Sequence, residues 1–510
     1  MVQVIDILLP ILTLVIAALL TIPVFRLIRK SSNPTTLTVG WFVAVFAVAG
    51  ATVANLALSY YSVSSPGLIN IGLNGAVSTN PNGAFSSAFL IDAISIFMAV
   101  IIVGLSAVVV LYSVFSIGNN ERPSERYFAI MLMTTAGLLG AVLAGDLLTL
   151  FIFWEAATAG AAFLMLYKKN AFSINATLKY LVMIVIASAF VVLGISIVYG
   201  LTGTLNYIGV GTALQTVGSS NHLLIIAFIF IAAGYAIEAA IVPFHFWLPD
   251  AYTEAPASSA SFLSALVDQG SYYILIRVLL YIIVPKGPNA VLDWTLMLAA
   301  LASVTMVVGN LFALIQTNVK RLIAYICVAD VGYNLVAITS VTALGITSNL
   351  YFFLVGGITT GLAFMAIGVI NSHGFKTIDD MSGLGKKMPL ACLALVMASL
   401  SFAGVPPFGG FFAKFFVFTA AIQGNLAWLA VIGIITSVLQ TAYLFRLIYV
   451  FYGKKATDET AIKEPKRILV PIFIMAGTLI FIGIFPSVVL NLIHPVVNQL
   501  QTIIPTIPTL

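Results

Sequence analysis

The sequence predicts an all-α polytopic membrane protein of about 14 transmembrane helices, with two inverted five-helix repeats and broken seventh and twelfth helices. Three observations carry this expectation. Of 510 residues, 61% are hydrophobic and only 8% charged, a composition no soluble class shares. The apolar residues run in stretches of about 20, enough to cross a bilayer as helix. Lys and Arg gather on alternate connections between those stretches, as they do when basic loops are retained in the cytoplasm.

The spans read near 4–25, 37–62, 86–116, 127–144, 147–167, 178–200, 222–242, 257–283, 292–314, 321–341, 347–370, 389–421, 425–450 and 468–493. The N-terminal MVQVIDILLP lacks a basic segment and enters a full-length span, so it reads as a membrane helix rather than a cleaved leader. Residues 64–84, rich in Ser, Gly, Asn and Pro, read as an uncharged loop outside the membrane. Seventeen of the 22 Lys and Arg follow odd-numbered spans, Arg26, Arg122, Arg126, Lys168, Lys320, Lys376 and Lys454 among them, and only Lys286 follows an even-numbered one. Odd connections are therefore expected in the cytoplasm and both termini outside, in the plasma membrane of a prokaryote.

Residues 222–250 form the first break. Glu238 stands inside the apolar run, followed by Pro243, His245, Pro249 and Asp250. Proline removes a backbone donor and clashes with the preceding turn. A carboxylate at membrane depth is costly unless paired, protonated or wetted. The second break lies in 389–421, where Gly404, Pro406, Pro407, Gly409 and Gly410 precede Lys414. The plain alternative is a simple proline kink with a satisfied acid, since Gly and Pro are common in membrane helices. Breaks in the seventh and twelfth spans favour repeats with a site between them. Five helices per unit, an odd number, makes the repeats inverted. The expected segments are 1–126 (three helices), 127–283 (first unit), 284–450 (second unit) and 451–510 (C-terminal helix and tail).

Charged residues inside spans are the candidate ion pathway: Glu155, Lys179, Glu238, His245, Asp268, Asp330 and Lys414. Such groups can exchange protons when neighbours and burial are balanced. Arg277 and Arg446 read as helix-end residues that snorkel, and Asp92 and Asp146 as caps or boundaries. Cys327 and Cys392 lie in apolar runs and the four His are scattered. Neither a disulfide framework nor a metal site is expected, and no cofactor or catalytic residue is assigned.

GDLLTLFIFWE, PFHFWLPDAYTEAP, GNLFALIQTNVKRLIAYICVADVGY and GVPPFGGFFAKF occur in that order. Together they resemble the antiporter-like subunits of proton-pumping NADH–quinone oxidoreductase (complex I), a family shared with Mrp-type antiporters and membrane-bound hydrogenases. The resemblance covers about residues 85–490. It implies a pathway role for Glu155, Lys179 and Lys414, and the seventh-helix break at Pro243, His245 and Pro249. Members of the family usually carry lysine where this chain has Glu238, commonly lysine at Asp268, and often histidine at Asp330. The usual histidine and lysine of the eleventh span are replaced near Gly356 and Thr360.

These departures imply an acidic site of Glu155, Glu238 and Asp268 for H⁺ or Na⁺ in the first unit, or a unit that no longer conducts. The resemblance implies an ion-translocating subunit of a redox-driven complex, partnered by other membrane subunits including antiporter-like paralogues and by lipid, with no nucleic acid. The departures lean toward the hydrogenase, sulfur-reductase or Mrp branch. A subunit of a redox-free Mrp-type antiporter and a non-conducting structural paralogue remain alternatives.

Overall fold

The computed structural model describes residues 4–31, 33–61, 69–71, 77–78, 89–117, 124–217, 221–279, 294–455 and 462–503. Arg122 and Lys286 lie outside these, as does most of the 64–84 loop. Lipid offers the backbone no hydrogen bonds, so apolar runs close theirs internally as helix. Among the described residues eleven helices are long and apolar enough to cross a membrane, and three shorter apolar helices, His222–Glu238, Pro389–Ala403 and Gly409–Gln423, come from the two interrupted runs.

The chain opens with α1 (Val4–Ile28), α2 (Pro34–Tyr61) and α3 (Ala93–Ile117). Within the expected loop, β1 (Ile69–Ile71) pairs antiparallel with both β2 (Val77–Ser78) and β3 (Phe89–Ile91). There follow α4 (Glu125–Leu143), α5 (Leu147–Met165), α6 (Ala171–Thr202) and a short α7 (Tyr207–Val217) that the span reading did not contain. Next come α8 (His222–Glu238), α9 (Trp247–Glu254), α10 (Ala257–Phe262), a π-helical turn over Leu263–Val267 and α11 (Asp268–Val278).

The second half has α12 (Trp294–Leu314), α13 (Val319–Thr339), α14 (Ala343–Ser372), a single-turn α15 (Leu384–Lys387), α16 (Pro389–Ala403), α17 (Gly409–Gln423) and α18 (Ala427–Tyr452). The last expected span is two helices, α19 (Lys466–Ile484) and α20 (Pro486–Ile503), because Pro486 starts a new helix at its first position.

α13 and α14 form the centre, with 94% and 89% of their apolar windows buried, against 33% for α2 and α6. The outer faces expose Leu178, Val182 and Val185 on α6 and Val431, Ile435 and Val438 on α18. Apolar surface on that scale requires lipid. The chain is a multi-pass membrane protein.

α4–α5 and α12–α13 match in detail. Asp146 caps α5 through Thr149 N, and Asn318 caps α13 through Arg321 N. Asp146 also bridges Asn206 beyond α6, and Asn318 bridges Thr377 beyond α14. Asn170 caps α6 and Thr342 caps α14, each 24 positions after the preceding cap. Gly137 and Gly309, nine positions before their caps, press on Ala157 and Ala329, eleven after them.

The connections after the first, third, fifth, seventh, ninth and eleventh spans share one face. A cavity of about 1050 Å³ there is lined by Ser116 and Tyr167, at the ends of the third and fifth spans, and by Glu254, Asn318 and Lys376 from the connections after the seventh, ninth and eleventh. Arg29 joins the first connection to Glu125 at 2.7 Å.

Candidate functional site

Both expected breaks are present. α8 stops at Glu238, Ala240 takes a left-handed φ of +52°, the Val242–Pro243 bond is cis, and helix resumes at Trp247. α16 stops at Ala403, Gly404 turns left-handed, the Pro406–Pro407 bond is cis, and α17 begins at Gly409. The returning helix lies so close that a Cβ on Gly410 would sit 1.9 Å from the Ser401 carbonyl oxygen. Only glycine fits there.

At the first break Glu238 is buried, and its Oε2 accepts from Trp154 Nε1. Its Oε1 has no partner among the described residues. Glu155, the next residue on α5, lies within Coulombic range of Glu238. The Ser188 hydroxyl is 2.7 Å from Glu155 Oε1 and 2.8 Å from Ile184 O. It holds one proton, so it donates to one of them at a time. Tyr180 and Tyr235 flank both acids. Two acids, on the fifth and seventh helices, thus stand in one neighbourhood, each held by its own donor, Ser188 for Glu155 and Trp154 for Glu238.

Asp268 does not join them. It follows the π turn, is 4% exposed, and lies in Coulombic range of Asp330 instead. Among the described residues no group of three His, Cys, Asp or Glu side chains could hold a metal ion. Of the three expected acids, Glu155 and Glu238 lie near one another at the first break, while Asp268 stands on α11 in the neighbourhood of Asp330.

Lys179 is also placed differently. Helix α6 starts at Ala171, so Lys179 stands two turns inside it, half exposed, and bonds Asp250 at 2.6 Å. Arg321 bonds the other Asp250 oxygen at 2.8 Å. The lysine grips α9 rather than facing Glu155. The carbonyls at the end of α9 are held similarly. Lys168 Nζ donates to Glu254 O at 3.0 Å, and Lys320 Nζ donates to Thr253 O and Ala255 O at 2.8 and 2.6 Å. His245 is buried within the break among Phe246, Phe312 and Tyr325. Pro249 lies inside α9 rather than in the gap, and completes its first turn without a donor.

At the second break Lys414 is buried on α17. Its ammonium donates to Gln440 Oε1 at 2.6 Å and Ser437 Oγ at 3.0 Å, and lies 4.7 Å over the Tyr333 ring. Asp330 on α13 lies within its Coulombic range. A cavity of about 20 Å³ between them is lined by Asp330, Gly356, Thr359, Ser401 and Lys414. That is room for about one water. Gly356 abuts Gln269, whose amide oxygen would be 3.2 Å from a Cβ there.

Two arginine expectations part company. Arg446 is exposed. Arg277 does not snorkel: it is fully enclosed and doubly bonded to Asp92, with Nη2 at 2.7 Å from Oδ1, and its Nε donates to Tyr273 OH at 2.6 Å. The sequence reading also missed Trp154, Ser188, Gln440 and Ser437. Gln440, an amide inside an apolar run, was the visible signal.

Enclosed charges beside two interrupted helices, within a lipid-exposed bundle, define an antiporter-like membrane protein. The family described as NADH:quinone oxidoreductase/Mrp antiporter, transmembrane, matches residues 144–440, and the chain belongs to it. It is 32% identical over 413 residues to NADH-quinone oxidoreductase subunit N of Trichlorobacter lovleyi, covering 80% of this chain and 84% of that one. It is 30% identical to F(420)H(2) dehydrogenase subunit N of Methanosarcina mazei, over 86% of this chain and 89% of that one. A chain in the structure of the membrane-bound sulfane sulfur reductase, an archaeal respiratory membrane complex, superposes with a TM-score of 0.86 at 26% identity, covering 99% of both.

Proposed function

We propose that this chain is an ion-translocating subunit of a multisubunit, redox-driven membrane complex, moving H⁺ or Na⁺ through its interior. The observation that carries the reading is the set of ionisable side chains at the two breaks and between them: the enclosed Glu238, His245, Asp268, Asp330 and Lys414, with the half-buried Glu155 beside Glu238. Buried ionisable side chains are expensive in a bilayer and mark ion routes. Lys179 acts from outside this row, by holding α9 through Asp250.

Four segments, 1–126, 127–283, 284–450 and 451–510, organise the chain. The matched caps, bridges and glycine contacts of α4–α6 and α12–α14 support reading the second and third segments as inverted repeats. The odd connections on one face support fourteen spans, a cytoplasmic basic face and both termini outside, in a prokaryotic plasma membrane. Other membrane subunits, antiporter-like paralogues among them, are the partners, and redox chemistry belongs to them.

The test replaces Lys414 with Ala and, separately, Glu238 with Gln in the intact complex. Ion uptake into vesicles is then measured against electron transfer. Assembled complex with impaired uptake is expected for both. Unchanged uptake in both would leave a membrane strut rather than a carrier.

A further inference from the structure

We propose that the large cavity on the basic face binds the phosphate group of a phosphate ester, gripped by Lys168 from the first half and by Lys320 and Lys376 from the second. The site lies apart from the charges at the two breaks, and the proposal goes beyond the ion-translocating reading without resting on it.

The cavity measures about 1050 Å³, ample for a small ligand. Lys320 is its anchor. Lysines that only fix topology stay at the surface, where water solvates them. Lys320 is instead 5% exposed. Among the described residues its ammonium meets only backbone oxygens, those of Thr253 and Ala255, at 2.8 and 2.6 Å. A buried charge without a counter-charge is costly. Lys168 reaches the same Ala255 oxygen, at 3.3 Å. Two like charges therefore converge on one carbonyl dipole, which neutralises neither. Lys376, exposed on the connection after the eleventh span, adds a third ammonium. Glu254 is the one carboxylate in the lining among the described residues. Three positive charges against one negative leave two uncompensated, and a phosphate monoester carries up to about two negative charges.

The polar groups around the lysines define the ligand further. An ammonium has three N–H donors, and Lys320 spends two on carbonyls. Asn170 and Asn318, also in the lining, turn their amide oxygens to the first turns of α6 and α13, which leaves each NH₂ as a donor for phosphate oxygens. The Asn371 amide oxygen is buried at the wall and has no partner among the described residues. Buried acceptors call for a donor, and a hydroxyl or amine on the ester's alcohol supplies it. Two sources offer such an ester. Phe172, at the rim, is 72% exposed on α6, whose outer face carries Leu178, Val182 and Val185 toward lipid. That face gives a lipid headgroup a place for its acyl chains. A soluble phosphate ester would enter from the aqueous side.

The experiment uses the purified, assembled complex, exchanged into phosphate-free detergent. One arm is equilibrated with radiolabelled phosphatidylglycerol in detergent micelles, the other with radiolabelled glycerol phosphate. Saturable label per complex is compared among wild type, Lys376→Glu and Lys455→Glu, the last an exposed lysine outside the cavity lining. One equivalent is expected in wild type and Lys455→Glu, and its loss in Lys376→Glu. Loss in the phosphatidylglycerol arm identifies a lipid headgroup, and loss in the glycerol phosphate arm a soluble ester. Equal binding by wild type and Lys376→Glu in both arms overturns the proposal. Equal loss in both variants also overturns it, as an effect of general surface charge. No saturable label in either arm overturns it in favour of a cavity filled by a partner subunit's carboxylates. Lys320→Gln, where it assembles, loses the same equivalent, and full binding by that variant overturns the site as described.

Discussion

Replacing Asp92 with Asn tests how this membrane interior tolerates charge. Asp92 and Arg277 are both 0% exposed, and the guanidinium meets both carboxylate oxygens. The same carboxylate accepts from Ser95 N at 2.9 Å at the start of α3, and Tyr273, bonded to Arg277, donates its hydroxyl to Val142 O at 2.7 Å. Asp92→Asn keeps the shape and the Ser95 bond but leaves an enclosed guanidinium without its counter-charge. Removing one partner of a buried pair costs about 3–5 kcal/mol, whereas replacing both by apolar groups is often near neutral. The double variant Asp92→Leu/Arg277→Met still forfeits the two bonds from Ser95, N at 2.9 Å and Oγ at 2.6 Å, worth about 1 kcal/mol each. It should therefore recover part of the loss. Detergent denaturation of the purified complex, followed by release of this subunit, measures the order: wild type, then the double variant, then Asp92→Asn. An Asp92→Asn complex as resistant as wild type, or a double variant as weak as the single, would refute the reasoning.

Three further outcomes are expected. Gln440→Leu removes the shortest acceptor of the Lys414 ammonium, a charged hydrogen bond worth about 1.5–3 kcal/mol; ion uptake should fall while assembly persists, and normal uptake would remove Gln440 from the site. Gly410→Ala drives a methyl into the Ser401 carbonyl, backbone that cannot yield, so the subunit should be missing from purified complex on immunoblots. Asp380, exposed in a connection, has its carboxyl held below the usual aspartate range by the backbone N–H of Thr377, a bond of 2.8 Å. A lowered native value means its stabilisation is present above the ordinary aspartate pKa of about 3.9 and is lost as pH falls through that lowered value. Protection of the Thr377 amide from exchange should hold at neutral pH and drop only in acid, and a loss beginning near neutrality would contradict it.

What the sequence could and could not disclose divides along local and distant chemistry. The breaks were legible because Pro243, Pro406 and Pro407 act on their own turns. Asp146 was legible as a cap, and the structure bonds it to Thr149. The facing of Glu155 and Glu238 followed from resemblance. The surroundings of Asp268 did not, because the residue follows a π turn at Leu263–Val267 that has no sequence mark here. Arg277 looked like a helix-end residue because its counter-ion stands 185 positions away. The start of α6 was placed late, at 178, since Asn170 and Ser173 form a capping box ahead of the most apolar stretch. That shift alone moved Lys179 from the row to its flank.

Four cations clasp α9, two from either half: Lys168 and Lys179 on one side, Lys320 and Arg321 on the other. A segment moored to both banks cannot drift toward one without straining its ropes to the other. Any displacement of α9, which stands between the break at Glu238 and the π turn before Asp268, is thus felt in both halves at once. The piece of helix isolated by the break is one place where the two halves are mechanically tied.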